Sequence, residues 1–276
     1  MVVNNFKEFF RNYSKNVDKA DNQYFWKLSD DIIFSILKKY LEDGKKKTLL
    51  DAGGGTGRWI IKLKSNFDFN YVLCDISEYM LKKAKNNFKE NDISNVKIIK
   101  SDLKNLSKIN DNSIDYIISI YNPISFIDNV QKVFNEFYRV LKEDGFLLVM
   151  GQGFYNSIFS KINNYLADSS ELKELVKTKQ VKWDKQIPSL NVFTQESLEN
   201  YGQKVGLSPV KSYGITVFAQ PGLEDFDPEN KKKSLLSKKL ENDEIFYNKV
   251  FKIEMKYNGL SSVVNRGMNI LSVFKK

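Results

Sequence analysis

The residues best suited to chemistry in this chain are the acid and glycines of Leu-Leu-Asp-Ala-Gly-Gly-Gly-Thr-Gly-Arg-Trp, residues 49–59. Asp51 is followed at alternate positions by Gly53, Gly55 and Gly57, and Gly54 adds a fourth glycine. Glycine adopts positive φ at little steric cost and lets a ligand press against the backbone. The first amides of a following helix then offer unpaired donors. The pattern predicts a ligand-cradling turn between a strand and a helix. A dinucleotide fingerprint does not fit, because counting from Gly53 its third glycine falls on Arg58, and no Gly-Lys-Ser/Thr phosphate loop is present. The 276 residues hold no His and a single Cys, Cys74. Their absence excludes a Ser-His-Asp triad, a Cys-His dyad, an imidazole base and a disulfide within the chain, and no metal is expected.

Such a turn needs a strand before it and a helix after it, and the surrounding sequence supplies both repeatedly. Residues 5–41 read as mostly helical, with a stripe of Ile32, Ile33, Ile36, Leu37 and Tyr40. Short apolar strands follow at 48–51, 71–74, 96–100, 114–120 and 146–150, separated by helical stretches that include 77–88 and 130–141. Residues 154–192 read as two or three short helices without a strand. A helix from Thr194, with Thr194 and Ser197 placed to cap it, leads to a strand at 210–217, and a helix near 244–257 precedes a last strand at 268–274. This rhythm predicts a doubly wound, mostly parallel, seven-stranded Rossmann-like α/β sheet. One domain spans 1–276: an N-terminal helical lid at 1–47, a cofactor-binding core at 48–152, a helical cap insertion at 153–192, and the rest of the sheet at 193–276 with an excursion at 222–262.

The run Asp51-x-Gly53-x-Gly55-x-Gly57 closely resembles the first motif of class I S-adenosylmethionine-dependent methyltransferases, of the small-molecule type. The resemblance continues along the chain. Asp75, in Cys-Asp-Ile-Ser-Glu-Tyr-Met, ends the second strand as does the family's ribose-binding acid, with Ile76 and Met80 as apolar neighbours. Ser101-Asp102-Leu103 ends the third strand and is similar to the adenine site. The resemblance implies S-adenosyl-L-methionine as cofactor, held by Asp51, Gly53, Gly55, Gly57, Asp75, Ile76, Met80, Asp102 and Leu103. Residues 137–149 and 193–215 resemble later helix–strand units of small-molecule members.

Methyl transfer from a sulfonium is an in-line displacement that asks chiefly for alignment and exclusion of water, and a chain without histidine can provide those. The acceptor is expected beyond the fourth strand, at Ser-Ile-Tyr-Asn-Pro-Ile-Ser-Phe (119–126). Asn122-Pro123 resembles in part the Asn/Asp-Pro-Pro-aromatic tetrad of amino-directed members, with Ile124 in place of the second proline and Ser125 in place of the aromatic. Tyr121, Asn122 and an early tyrosine, Tyr13, are the candidate catalytic residues, and nitrogen is preferred to oxygen as the acceptor. A turn after a strand also accounts for Asn122-Pro123, and Cys74 reads as a core thiol.

The formal charge of +9 is spread evenly, +3 in each of residues 1–47, 48–222 and 223–276, and only four of the 43 basic residues are Arg. That argues against a nucleic-acid interface, which favours clustered charge and the Arg fork. A small-molecule or peptide acceptor is expected, with no membrane partner, in the cytoplasm, where a lone cysteine stays reduced. Oligomeric state is left open. An RNA or DNA amino-methyltransferase, and a methyltransferase fold that binds without turnover, are the alternatives.

Overall fold

Apolar runs bounded by glycine and polar turns give the chain its strands. The computed structural model describes residues 9–12, 14, 18, 19, 23–44, 46–184, 187–226 and 232–276. After α1 (Tyr24–Leu37) come β1 (Thr48–Ala52), α2 (Arg58–Lys64), β2 (Asn70–Asp75), α3 (Glu78–Glu90), β3 (Val96–Lys100) and β4 (Ile114–Ser119). A 3-10 turn (Pro123–Phe126) leads to α4 (Val130–Val140) and β5 (Leu141–Gly153). Then follow α5 (Phe154–Asn163), α6 (Ser169–Thr178), β6 (Gln180–Val181), β7 (Leu190–Phe193), α7 (Gln195–Gln203) and β8 (Ser208–Ile215). A second 3-10 turn (Leu223–Phe226), α8 (Leu235–Asn242), α9 (Glu244–Tyr257), α10 (Ser261–Val264) and β9 (Asn269–Lys275) complete the order.

The main sheet runs β3-β2-β1-β4-β5-β9-β8. The first five strands are mutually parallel, and β9 is antiparallel to both β5 and β8. All seven strands read from the sequence are therefore present. The difference lies in residues 154–192, where two more strands form. β7 pairs in parallel with the end of β5 through Gln152 and Gly153, and β6 pairs with β7. They span only four and two residues, too short to show a period in the sequence. Another difference is at residue 141, where α4 has already ended and β5 has begun.

Two apolar layers sandwich the sheet. One face packs Leu49, Leu73, Ile118 and Leu148 against α1, α2 and α3; the other packs Leu50, Cys74, Ile117 and Leu147 against α4 and α7. The stripe on α1 buries Phe25, Leu28, Ile32, Ile33, Ile36 and Leu37, and removing such side chains from water supplies the main drive for docking. α1 is also tied to the late elements. The Phe25 amide donates to Ser237 Oγ at 3.2 Å, and Trp26 Nε1 donates to the Asp225 carbonyl at 2.6 Å. The start of α7 carries the expected cap: Ser197 N donates to Thr194 Oγ1 and Thr194 N donates to Ser197 Oγ. No helix among the described residues is long and apolar enough to cross a membrane.

Candidate cofactor and acceptor site

Parallel strands send their C-terminal ends to one edge of the sheet, and the loops leaving that edge form the site. The loop after β1 is built on backbone conformations that side chains resist. Gly53, Gly55 and Gly57 have φ of +75°, +55° and +75°. A Cβ on Gly53 would lie 2.5 Å from Pro123, and one on Gly57 would lie 2.4 Å from the Phe88 ring. These two glycines let the loop seat between the acceptor-side turn and α3. The Gly53 and Gly54 amides both donate to the Cys74 carbonyl, locking the loop to β2.

Asp75, at the end of β2, accepts from the Gly55 amide through Oδ2 at 3.0 Å and from the Ser77 amide through Oδ1 at 2.8 Å. Burial pushes its carboxyl above the ordinary range, against the opposing pull of those amides. Beside it, Ile76 is 56% exposed, an apolar side chain held out into the space above the strand ends. Met80 is buried, with Sδ 3.8 Å from where a Cβ on Gly55 would stand. Leu103 is buried and reaches toward Gly53, and Asp102 accepts from the Lys104 amide at 2.9 Å.

Asp51 is the most unusual group. It is 1% exposed, and neither carboxyl oxygen has a hydrogen-bond partner among the described residues. Burial, with the nearby Asp75 charge in second place, pushes its pKa up to about 8. A buried acceptor without a donor is costly unless a ligand completes it. The resident residues thus fit the implied cofactor on two counts: an uncompensated buried acid beside a glycine cradle, and an acid at a strand end with an exposed apolar neighbour.

On the acceptor side, β4 ends in a strained turn. Tyr121 and Asn122 have φ of +61° and +66°, consecutive non-glycine residues in the left-handed region, with a proline next. Such a conformation costs on the order of 1–3 kcal/mol per residue, so its neighbours must enforce it. Asn122 Nδ2 donates to Asn269 Oδ1 at 2.6 Å, and Asn122 Oδ1 is buried with no donor among the described residues. The Tyr121 hydroxyl donates to Asp30 Oδ1 at 2.5 Å. Burial, then the Asp30 charge, holds that phenol well above its ordinary pKa, so it stays protonated. Tyr13, the remaining candidate, lies outside the described residues.

Three participants carry no local sequence signal. Asp30, from α1, binds Arg58, Lys62 and Tyr121. Asp18 accepts from Thr56 Oγ1 at 2.6 Å and from Asn87 Nδ2 at 3.0 Å, fastening the N-terminal segment to the glycine loop. Phe10 packs on Phe126 with centroids 5.4 Å apart. Cys74 is buried, and burial pushes its thiol up to about 12, which leaves it unsuited to nucleophilic work.

Comparison with known proteins gives a match to a family model over part of the chain. Residues 49–145 match a family model described as a methyltransferase domain. A search of curated proteins finds no match. Among solved structures, a protein of Methanococcus maripaludis described as an S-adenosyl-L-methionine-dependent methyltransferase is 26% identical, with 72% of this chain and 87% of that chain covered and a TM-score of 0.51. A Thermotoga maritima protein described as an S-adenosylmethionine-dependent methyltransferase is 17% identical over 98% and 99% of the two chains, with a TM-score of 0.58. A Haloferax volcanii methyltransferase solved with the Trm112 activator is 12% identical over 96% of each chain, with a TM-score of 0.60. The last two likenesses are of fold.

Proposed function

We propose that this chain is a class I S-adenosylmethionine-dependent methyltransferase that transfers a methyl group to a nitrogen of a small molecule or short peptide. The reading is supported by the match of residues 49–145 to a methyltransferase-domain model and by the 26% identical Methanococcus maripaludis structure. Its cofactor is S-adenosylmethionine, which when bound supplies a methyl group already activated on a sulfonium. Asp51, Gly53, Gly55 and Gly57 hold its amino-acid end, Asp75 its ribose hydroxyls, and Asp102, Leu103, Ile76 and Met80 its adenine side.

The observation that carries the nitrogen reading is the Asn122 amide. Its NH2 donates to Asn269 and its Oδ1 is buried with no donor among the described residues, so an incoming group bearing N–H would satisfy that oxygen. The Tyr121 proton is committed to Asp30, so Tyr121 shapes the acceptor turn and does not serve as a base there. The chain has no histidine to deprotonate a hydroxyl, whereas an amine arriving neutral needs no base. The N-terminal segment, latched at Asp18 and packed through Phe9 and Phe10 on Phe126, is the element that excludes water, and Tyr13 joins it on the family resemblance alone. We place the enzyme in the cytoplasm, on its single buried thiol.

Two measurements test this reading. Titration calorimetry with S-adenosylmethionine gives saturable binding in the wild type and weakened binding in Asp75→Ala; absence of both overturns the cofactor assignment. Transfer of radiolabelled methyl to a panel of primary and secondary amines, with matched alcohols and phenols, gives labelled amines. Labelled alcohols alone overturn the nitrogen assignment.

A further inference from the structure

The strained turn at the end of β4 is held from a distance. Asp30 is 2% exposed in the middle of α1, where a lone carboxylate is unfavourable without compensation. It is compensated fully. Oδ2 accepts from Arg58 Nη1 at 2.9 Å and from Lys62 Nζ; Oδ1 accepts from Arg58 Nη2 at 2.7 Å and from the Tyr121 hydroxyl at 2.5 Å. Arg58 opens α2 directly after the glycine loop, and Lys62 lies one helical turn further on, in the last turn of that helix. Asp30 therefore joins three elements at one point: α1, the helix that opens from the cofactor loop, and the acceptor turn.

The Tyr121 ring is enclosed as well. The Arg58 guanidinium lies 5.1 Å from its centroid, and the Trp26 and Trp59 rings stand at 6.0 and 6.3 Å. These three groups flank the ring, and the hydroxyl bond to Asp30 sets its depth. With Tyr121 so placed, the backbone passes through the left-handed region twice and delivers Asn122 to Asn269.

We propose that Asp30 is a positioning residue for the acceptor: through the Tyr121 hydroxyl it holds the left-handed Tyr121–Asn122 pair, and so keeps Asn122 Oδ1 turned toward the incoming N–H group. This rests on the methyltransferase reading for the identity of the acceptor, but the mechanical coupling stands apart from it. The Arg58–Asp30–Lys62 cluster, one carboxylate held between two cations, is the anchor, and the phenol is the link.

Tyr121→Phe removes the link and keeps the ring, and Asp30→Asn weakens the anchor. The control is Tyr247→Phe, which deletes a similar bond, from the Tyr247 hydroxyl to the adjacent α1 residue Asp31 at 2.6 Å, without touching the turn. Crystal structures are expected to show Asn122 leaving positive φ and losing its contact with Asn269 in Tyr121→Phe and in Asp30→Asn. Tyr247→Phe is expected to lower Tm with the turn unchanged. S-adenosylmethionine affinity by calorimetry is expected to stay within about threefold of wild type in Tyr121→Phe, since the hydroxyl is committed to Asp30 and not to the cofactor residues. Retention of both left-handed residues and of the Asn122–Asn269 bond in Tyr121→Phe overturns the proposal, even where Asp30→Asn fails to fold. Loss of the turn together with absence of cofactor binding in the wild type upholds the coupling and overturns the methyltransferase reading instead.

Discussion

Cofactor binding should expel a proton from Asp51. The carboxyl has no partner among the described residues, and its pKa stands at about 8, so at pH 6 only about 1% is ionised and at pH 7 about 9%. The cationic amino group assigned to this position favours the carboxylate. Binding therefore proceeds through the ionised minority, and affinity should tighten about ninefold between pH 6 and pH 7. Above that range the amino group of the ligand itself titrates, ordinarily near 7.7–8.0, and obscures the effect. The assay is calorimetry with S-adenosylmethionine at pH 6.5 in two buffers of different ionisation enthalpy, from which the released protons are counted. Nearly one proton per site is expected in the wild type. Asp75, whose carboxyl burial also raises, contributes a separate share that the Asp51→Asn variant leaves in place. An affinity that is flat from pH 6 to pH 7, with the same proton count in Asp51→Asn as in the wild type, would refute the reasoning.

The same acid governs stability of the free protein. Because its folded pKa lies above its unfolded one, the native state is progressively penalised from about pH 4 to about pH 8. Asp51→Asn should therefore gain on the wild type by up to about 1.4 kcal/mol per pH unit over that window, read as a widening Tm gap in scans at pH 5, 6 and 7. Gly57→Ala forces a side chain into φ of +75° and onto Phe88, a cost of roughly 2–4 kcal/mol that should lower Tm by roughly 5–15 °C and weaken cofactor binding; an unchanged Tm would contradict the crowding. Glu254 is fully buried on α9 and accepts from the amides of Val217, Phe218 and Ala219 at 2.7–3.1 Å. Glu254→Gln turns an NH2 toward those donors and should cost about 2–3 kcal/mol by denaturant titration, with cofactor affinity nearly unchanged.

What could be read from the sequence was what is local. The glycine loop, Asp75 at its strand end and the Thr194–Ser197 cap each depend on residues within a few positions of one another, so spacing alone reveals them. The seven strands of the main sheet were legible because buried parallel strands read as apolar runs. β6 and β7 were not, since strands of two and four residues leave no period to detect. The anchors of the acceptor turn were hidden for another reason. Tyr121 meets Asp30 across 91 positions and Asn122 meets Asn269 across 147, and neither partner looks unusual where it stands. Asp30 occupies an ordinary position in a helix and Asn269 an ordinary one at a strand start. Arg58 stands directly after the glycine loop in the sequence, with nothing there to say that it faces a carboxylate on α1. The glycine loop, whose shape lies in its own backbone, announces itself; the turn after β4, which is shaped by side chains far off in sequence, does not.

The place of β9 bears on how the protein comes into being. β9 comes after all the other described strands in sequence, yet it lies between β5 and β8, and its first residue is the Asn269 that fixes Asn122. During translation, the glycine loop and the ends of β2 and β3, complete by residue 103, leave the ribosome well before β9. Until that strand enters, β5 and β8 have no neighbour to pair with at that position and the acceptor turn lacks one of its two restraints. Before β9 is in place, the glycine loop and the ends of β2 and β3 stand without the Asn269 restraint on the turn after β4.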